Sequence, residues 1–282
     1  MNGIINVLKP SGVSSNKILN IIKRKYKGKK VGHFGTLDPM ACGVLPVAIG
    51  KATRLFDYFL KKDKQYIALF KFGIETDTLD AEGKILSRNN TTVTKDMIEN
   101  VLPNFIGEIK QVPPIYSAIN LNGERAYNLA RSGRSAEMPT KTVYIHELKL
   151  IKQIDLNSFL FKIHCSSGTY IRSLARDMAK ALGTVGYMPQ LIRTKAGIFG
   201  IDKAYTVEEV ENEQFEIIKI EDAVNLRKFE LPETEYQKLT NGVKVKANFD
   251  YEKDFLLFCN KQLFGIAEVK NNVIKIKTNL KE

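Results

Sequence analysis

The order of strand-like and helix-like segments most restricts how this chain can fold. Residues 4–8 and 43–49 are apolar runs of strand length, and between them the apolar residues of 18–22 recur with helical spacing. Residues 143–151 and 159–165 predict the two strands of a hairpin. Because strands and helices do not alternate regularly along the chain, this order favours an α+β fold over a parallel βαβ fold.

The C-terminal residues differ in character from the rest of the chain. From about residue 230, short strand candidates at 255–258, 263–269 and 273–276 are joined by turns rich in Asn and Lys. We therefore predict two units, residues 1–228 and residues 229–282, of which the second is a small β module.

The chain is strongly basic. It has 43 Lys and Arg against 31 Asp and Glu, a formal net charge of +12. This excess favours a polyanionic partner, first of all nucleic acid, although a solvated basic surface without a partner is the alternative. One dense run of cations directly precedes the glycine-rich residues 32–39. The run consists of Lys23, Arg24, Lys25, Lys27, Lys29 and Lys30.

Several protein classes lack their usual sequence support. No apolar run approaches the ~18 residues that cross a bilayer and no signal-peptide pattern occurs, so we expect a soluble, cytoplasmic protein that binds no membrane. Three cysteines and three histidines, widely spaced, predict neither disulfides nor a metal site, and His164 should face away from Cys165 on a strand. Because the P-loop, dinucleotide and serine-hydrolase motifs are missing, we expect no cofactor.

Asp38 is the first candidate for a chemical role. It lies between Leu37 and Pro39, and a residue before proline is restricted to extended conformations, so its backbone is well defined. Glycines at 32, 35 and 43 permit close approach of a ligand. A plain surface turn at Asp38-Pro39 is the alternative interpretation.

A second candidate segment opens a predicted helix at residues 169–182. Thr169 is placed to cap this helix, and Tyr170 and Arg172 fall near its first turn. An aromatic ring and a guanidinium group can together hold a nucleic acid, but a buried Tyr and a surface Arg would also fit. Tyr66, at the start of a predicted strand, has an equally open role.

Taken in order, these segments resemble one enzyme family. Residues 32–46, which read GHFGTLDPMACGVLP, resemble the catalytic motif of the tRNA pseudouridine synthase B (TruB) family, the stand-alone enzymes that modify the T-loop uridine, uridine-55, of tRNA. The sequence departs from the family pattern at Phe34, Cys42, Asn120 and Ile192. Further resembling segments are KPSG at 9–12, KQY at 64–66, Gly73, TDT at 76–78, DAEG at 80–83, PP at 113–114, YSA at 116–118, Tyr127, AR at 130–131 and GTYIR at 168–172.

The resemblance implies a fold and a set of reacting groups. The fold is a mixed, mainly antiparallel central sheet with flanking helices, the pseudouridine synthase fold, followed by an RNA-binding module of the PUA type. Asp38 takes the essential role at the ribose, by attack or by elimination. Arg172 is expected to pair with Asp38 and keep it ionised, and Tyr66 to stack on the base and accept the C5 proton.

The resemblance also implies an RNA-binding surface. Leu191 and Tyr170 are expected to form apolar walls, and His33 to support the space that the flipped nucleotide leaves. The partner would be the T stem-loop of tRNA, bound by a monomer without a cofactor, a metal or an obligate protein partner. The candidates for further RNA contacts, mainly to phosphates, are Lys9, Lys23, Arg24 and Lys25, with Lys238, Lys244 and Lys246 in the tail.

Three other functions compete with this interpretation. A glycosidase would need a second carboxyl group beside Asp38, and the motif provides no obvious one. A non-catalytic RNA chaperone would explain the charge but not the joint presence of Asp38, Tyr66 and Arg172. A guide-RNA-dependent pseudouridine synthase has a similar motif but is disfavoured by the short chain.

Overall fold

The computed structural model describes residues 2–117, 119–121, 123–132, 134, 137–247, 249 and 251–281, so Ala118 of the YSA segment lies outside the described residues. The strands are β1 (Gly3–Lys9), β2 (Val31–His33), β3 (Cys42–Ile49), β4 (Lys64–Phe72), β5 (Ile74–Thr76), β6 (Ile85–Arg88), β7 (Gly107–Gln111), β8 (Asn120–Leu121), β9 (Glu124–Arg125), β10 (Lys141–Asp155), β11 (Ser158–Cys165), β12 (Gly186–Ala196), β13 (Phe199–Gly200), β14 (Lys228–Leu231), β15 (Phe255–Cys259), β16 (Gln262–Lys270) and β17 (Val273–Asn279). The α-helices are α1 (Ser15–Lys25), α2 (Phe56–Leu60), α3 (Lys95–Val101), α4 (Ala126–Arg131), α5 (Ile171–Ala181), α6 (Val207–Glu211), α7 (Ile220–Ala223) and α8 (Glu233–Thr240), with 3-10 turns at Gly50–Leu55, Leu102–Phe105 and Ile201–Lys203.

One large sheet carries most of the first unit. Its strands follow the order β1-β3-β12-β4-β11-β10-β7, with β2 paired to β3 and β13 to β12. Among the described residues, every pairing in this sheet is antiparallel except that of β3 with β12. A second sheet, β14-β15-β16-β17, begins at Lys228. The predicted α+β fold, with a mainly antiparallel central sheet and a C-terminal β module, is confirmed.

Two helices pack on the large sheet and border the candidate site. In α1, the Ser14 side chain accepts a hydrogen bond from the backbone N–H of Lys17, which caps the helix start, and Ile18 and Ile22 are buried as the apolar spacing predicts. Helix α5 is more deeply buried, beginning with Ile171 and Arg172. No helix among the described residues is both long and apolar enough to cross a membrane.

The pairing of β10 with β11 brings together two histidines that are distant in sequence. The register joins Glu147 to His164 across the two strands, and the ring centroids of His146 and His164 are 4.6 Å apart. The wide spacing of these histidines in the sequence gave no sign of this proximity, because it depends on antiparallel strands that bring residues far apart in sequence opposite each other.

The second sheet has its own core but also shares one with the first unit. Leu256, Ile266 and Leu280 from the C-terminal residues pack in one apolar cluster with Phe34 and Phe59. In addition, Arg54 donates a hydrogen bond to the backbone oxygen of Asn279 at 2.6 Å. Because Phe34 belongs to residues 32–39, the C-terminal sheet supports the segment that carries Asp38.

A chain that ends at Arg227 should therefore fold with reduced stability. Removal of Leu256, Ile266 and Leu280 exposes their partners in the first unit, and burial of each such side chain contributes about 1.5–3 kcal/mol. Urea unfolding followed by circular dichroism should give a lower midpoint for residues 1–227 than for the full chain. The control is the full chain with Val243→Ala, a change at an exposed position, which should keep the parental midpoint. Equal midpoints would contradict a stabilising contact between the two sheets.

Candidate active site

Asp38 lies in the connection between β2 and β3, and α1 holds this connection in place. The buried hydroxyl of Ser15 accepts a hydrogen bond from the backbone N–H of Leu37 at 3.0 Å and donates one to the Leu37 carbonyl at 2.9 Å. The backbone N–H of Ala41 donates to the Asp38 carbonyl at 3.1 Å. The backbone around Asp38 is thus fixed from both sides.

Lys9 also holds the connection between β2 and β3 in place. Its ammonium donates hydrogen bonds to the carbonyl oxygens of Pro10, Val13 and Pro39, and the residue is fully buried. The prediction that Lys9 contacts RNA is therefore wrong, because all three donors of its ammonium are already used inside the protein.

Arg172 joins two carboxylates that are far apart in sequence. Its Nε lies 3.1 Å from Oδ2 of Asp38, its Nη2 lies 3.4 Å from Oδ1 of Asp38, and its Nη1 lies 3.1 Å from Oδ2 of Asp80. The guanidinium also donates to the carbonyls of Thr78 and Tyr116, each at 3.0 Å. This use of both edges of the planar group fixes the orientation of the Asp38 carboxyl group.

Burial and charge act in opposite directions on Asp38. Burial is the largest effect and raises the pKa of Asp38, the Arg172 guanidinium lowers it, and the neighbouring Asp80 raises it. The expectation that pairing with Arg172 favours the ionised form is correct for that one interaction, but the net shift of the pKa is upward. The side chain nevertheless keeps 33% of its surface exposed, so a ligand can reach it.

Tyr66 and Arg193 face each other on the paired strands β4 and β12. Burial raises the pKa of Tyr66 to about 12, while the charge of Arg193 and a hydrogen bond from its guanidinium lower the pKa. Arg193 also donates to the carbonyls of Val44 at 2.7 Å and Gly35 at 3.1 Å. The guanidinium therefore connects the Tyr66 hydroxyl to the backbone on both sides of Asp38.

A single cavity brings the main candidates together. It has a volume of about 610 Å³, within the range of small-ligand sites. Its lining includes Asp38, Tyr66, Tyr170, Arg172, Leu191 and Arg193. Five of these six residues were selected from the sequence, and together they offer a carboxylate, a phenol, a guanidinium and apolar walls to one bound group.

Tyr170 is held by a glutamine side chain from β7. The Gln111 side chain accepts a hydrogen bond from the Tyr170 backbone N–H at 2.8 Å and donates one to its carbonyl at 3.0 Å. Burial raises the pKa of the Tyr170 phenol. Thr169 does not cap α5 as predicted, because its hydroxyl donates to the Ser166 carbonyl and Tyr170 occupies the cap position without a side-chain hydrogen bond.

Other predicted binding residues lie outside the cavity lining. His33 is half-buried on β2, and burial lowers its pKa. Lys25 pairs with Glu213 at 3.0 Å and donates to two carbonyls at the end of α6, so its predicted phosphate contact is replaced by an internal one. Lys238 pairs with Glu235. Among the predicted RNA contacts that lie in the described residues, Lys23, Arg24, Lys244 and Lys246 are also exposed.

Sequence reasoning missed Asp80 and Arg193 as site residues. Asp80 lies in the DAEG segment at 80–83, but its burial beside Arg172 depends on a contact between two residues 92 positions apart in the sequence. Arg193 occupies an inward-facing position of β12, and a charged residue at such a position was the available signal. Gly43, with φ of +107°, reflects the same packing, since a Cβ there would lie 2.2 Å from the Arg193 carbonyl oxygen.

Known proteins with similar sequences identify the family. Residues 23–171 match the N-terminal domain of the TruB family pseudouridylate synthases, and residues 172–235 match the C-terminal domain of tRNA pseudouridylate synthase B. This chain belongs to the TruB family. A tRNA pseudouridine synthase B of Caldanaerobacter subterraneus subsp. tengcongensis is 40% identical over 95% of this chain and 96% of its own length. One of Clostridium tetani is 42% identical over 87% of this chain and 86% of its own.

Solved structures share the fold of this TruB-family chain. A chain in the crystal structure of a Cbf5-Nop10-Gar1 complex is 26% identical, with a TM-score of 0.73, over 99% of this chain and 84% of that one. A chain of an H/ACA RNP bound to a substrate RNA has a TM-score of 0.72 at 24% identity, which supports the fold. The chain is an RNA-modifying isomerase, and the non-catalytic and guide-RNA-dependent alternatives are not favoured.

Proposed function

We propose that this TruB-family enzyme converts uridine-55 in the T-loop of tRNA to pseudouridine. The observation that carries the proposal is the Asp38 carboxyl group, partly exposed at the wall of the cavity and held by Nε and Nη2 of Arg172. Relatives that match nearly the whole chain carry the name tRNA pseudouridine synthase B, which supports tRNA as the substrate.

The reaction consumes no second substrate, since uridine and pseudouridine are isomers. The bond between N1 and the ribose C1′ breaks, the base turns, and a bond forms between C5 and C1′; the C5 proton leaves and N1 gains a proton. Asp38 starts the sequence at the ribose, where an anionic carboxylate beside the glycosidic bond either adds to the sugar or promotes elimination. Enclosure in the cavity keeps the freed uracil in place for reattachment.

Arg172 acts on Asp38 as a positioning residue. Burial alone would favour the protonated and unreactive form of Asp38, and the guanidinium opposes this effect while fixing both carboxyl oxygens. Asp80 in turn fixes the third nitrogen of the guanidinium, at 3.1 Å. Because Asp80 itself raises the pKa of Asp38, the Arg172 guanidinium is the largest influence that favours the ionised, reactive carboxylate.

Tyr66 stacks on the target base and accepts the C5 proton. A phenol with a pKa of about 12 is protonated near pH 7, so the phenolate form must be favoured at the moment of proton transfer. Arg193 shifts the pKa of Tyr66 in that direction, although burial raises the pKa by more, because its guanidinium donates a hydrogen bond to the Tyr66 oxygen and carries the opposite charge to a phenolate.

Tyr66→Phe should slow product formation by about 100- to 10,000-fold, the usual contribution of a general base, while the retained ring leaves tRNA affinity nearly unchanged. Single-turnover assays and filter binding on one tRNA transcript measure the two effects. Tyr187→Phe, on β12 and outside the cavity lining, makes the same chemical change and is the control. If Tyr66→Phe reacts at the parental rate, Tyr66 is a stacking group only.

Phosphate contacts from exposed cations offset the free-energy cost of flipping the target base. A T-loop uridine must leave its stack at a cost of a few kcal/mol, which phosphate contacts and stacking offset. Lys23 and Arg24 in the first unit and Lys244 and Lys246 in the proposed RNA-binding module, residues 229–282, are exposed and available for this role. We expect the T stem-loop to contact these cations while its target uridine occupies the cavity.

The deciding experiment incubates the purified protein alone with one unmodified tRNA transcript and maps pseudouridine along it. Modification of uridine-55 supports the proposal and also excludes dependence on a guide RNA or a protein partner. Modification only after addition of a guide RNA would support the guide-dependent alternative. Binding without any modification would support a chaperone and overturn the proposal.

A further inference from the structure

Three adjacent strands of the large sheet bring a carboxylate and two imidazoles together away from the cavity. Asp63 directly precedes β4, His164 lies on β11 opposite Gln65 of β4, and His146 lies at an irregularity of β10 where the register shifts between Ile145 and Glu147. Asp63 and Gln65 are two residues apart, so the period of a strand places Asp63 on the face of His164.

The donor atoms of this cluster lie at distances suited to a single small cation. Oδ2 of Asp63 is 3.2 Å from Nε2 of His146 and 3.9 Å from Nε2 of His164, and one ligand atom from each residue lies within 4.8 Å of the others. A tetrahedral ion bound at 2.0–2.1 Å separates its ligands by about 3.3 Å. Small rotations of half-exposed side chains close this difference.

The chemistry of the donors selects the class of ion. Imidazole nitrogens with one carboxylate suit Zn²⁺ and related transition metals, whereas Mg²⁺ prefers oxygen ligands. The side chains are 35%, 32% and 46% exposed for His146, His164 and Asp63, which leaves room for a water molecule as fourth ligand. The nearby cations Lys149 and Lys162 are both paired with Glu147, which reduces their repulsion of an incoming ion.

We propose that Asp63, His146 and His164 form a binding site for a divalent transition-metal ion, with Zn²⁺ the best fit, on the face of the sheet opposite the cavity. Tyr66 follows Gln65 on β4 and therefore points to the other face, toward Asp38. A bound ion would join β4, β11 and β10 and so stabilise the strand that carries Tyr66. The site is structural and separate from the groups proposed to react with RNA.

Competition with a chromophoric chelator, on the full chain without a histidine tag, tests this proposal. The chain should take up one Zn²⁺ at this site, and Mg²⁺ should not displace it. Asp63→Asn and His164→Gln should each weaken Zn²⁺ binding by at least about tenfold, the lower end of the effect seen when even an outer-sphere partner is lost. Asp155→Asn, an equivalent change on β10 beside Lys71, is the matched control and should bind as the parent does.

Thermal unfolding supplies a second readout that does not depend on enzyme activity. Zn²⁺ should raise the Tm of the parent and of Asp155→Asn but not that of the double variant His146→Gln, His164→Gln, because only a folded chain that holds all three ligands gains from binding. Absence of Zn²⁺ binding, or binding and a Tm shift unchanged in the double variant, would overturn the proposal. The cluster would then be a His–Asp ion pair.

Discussion

Asp38→Asn should abolish pseudouridine formation and leave tRNA affinity almost unchanged. The amide has nearly the shape of the carboxyl group but neither its negative charge nor its nucleophilicity, so the loss falls on the chemical step. Arg172 remains anchored by Asp80 and by two carbonyls, so the cavity should keep its shape. Single-turnover product formation and the Kd for the same transcript measure this separation.

The thermal stability of Asp38→Asn gives an independent check on the same carboxyl group. Burial disfavours the charged form of Asp38, which raises its pKa, so a neutral side chain should be tolerated without a large fall in Tm. Asp202→Asn, on an exposed residue, is the matched control for both measurements. Product at the parental rate would remove Asp38 from the mechanism, and a collapse of Tm would reduce its role to a structural one.

Arg172→Lys should lower the rate of product formation by about 100-fold or more. An ammonium is a single point of charge, and it cannot hold both oxygens of Asp38 while also reaching Asp80 and the carbonyls of Thr78 and Tyr116. Misplacement of a reacting group by about 1 Å can cost about 100-fold in rate. The pH dependence of the single-turnover rate should also change, since the guanidinium that favours ionised Asp38 is lost.

The same helix offers a matched control for this substitution. Arg176 lies one turn further along α5, pairs with Asp177 at 2.8 Å and donates to the Val112 carbonyl. Arg176→Lys should retain the parental rate and pH dependence, because Arg176 does not line the cavity. Equal effects of the two substitutions would mean that the rate reports helix stability and not the orientation of Asp38.

Local features of the site could be predicted from the sequence because they depend on neighbours in the chain. The apolar spacing of α1, its cap at Ser14 and the fixed segment around Asp38 all follow from residues within a few positions of each other. The family resemblance then supplied Tyr66, Arg172, Tyr170 and Leu191 together, and these residues do line one cavity. Their chemical roles remain predictions until the variants are measured.

The surroundings of those residues were decided by packing. Phosphate contacts were predicted for Lys9 and Lys25, yet both donate from their ammonium groups to carbonyls that folding brings near, and a sequence does not say which carbonyls those are. The same holds for Arg193, whose partners Gly35 and Val44 lie about 150 positions away.

The sequence by itself determined the family, the α+β class and the carboxylate at residue 38, because these follow from short-range patterns and from a segment with a distinctive order of residues. Only the tertiary structure decided which charges face each other: Arg172 between Asp38 and Asp80, Arg193 against Tyr66, and Asp63 beside two histidines. Side-chain periodicity gives the face of a strand, but strand order and register, set by packing of the whole core, give its neighbours.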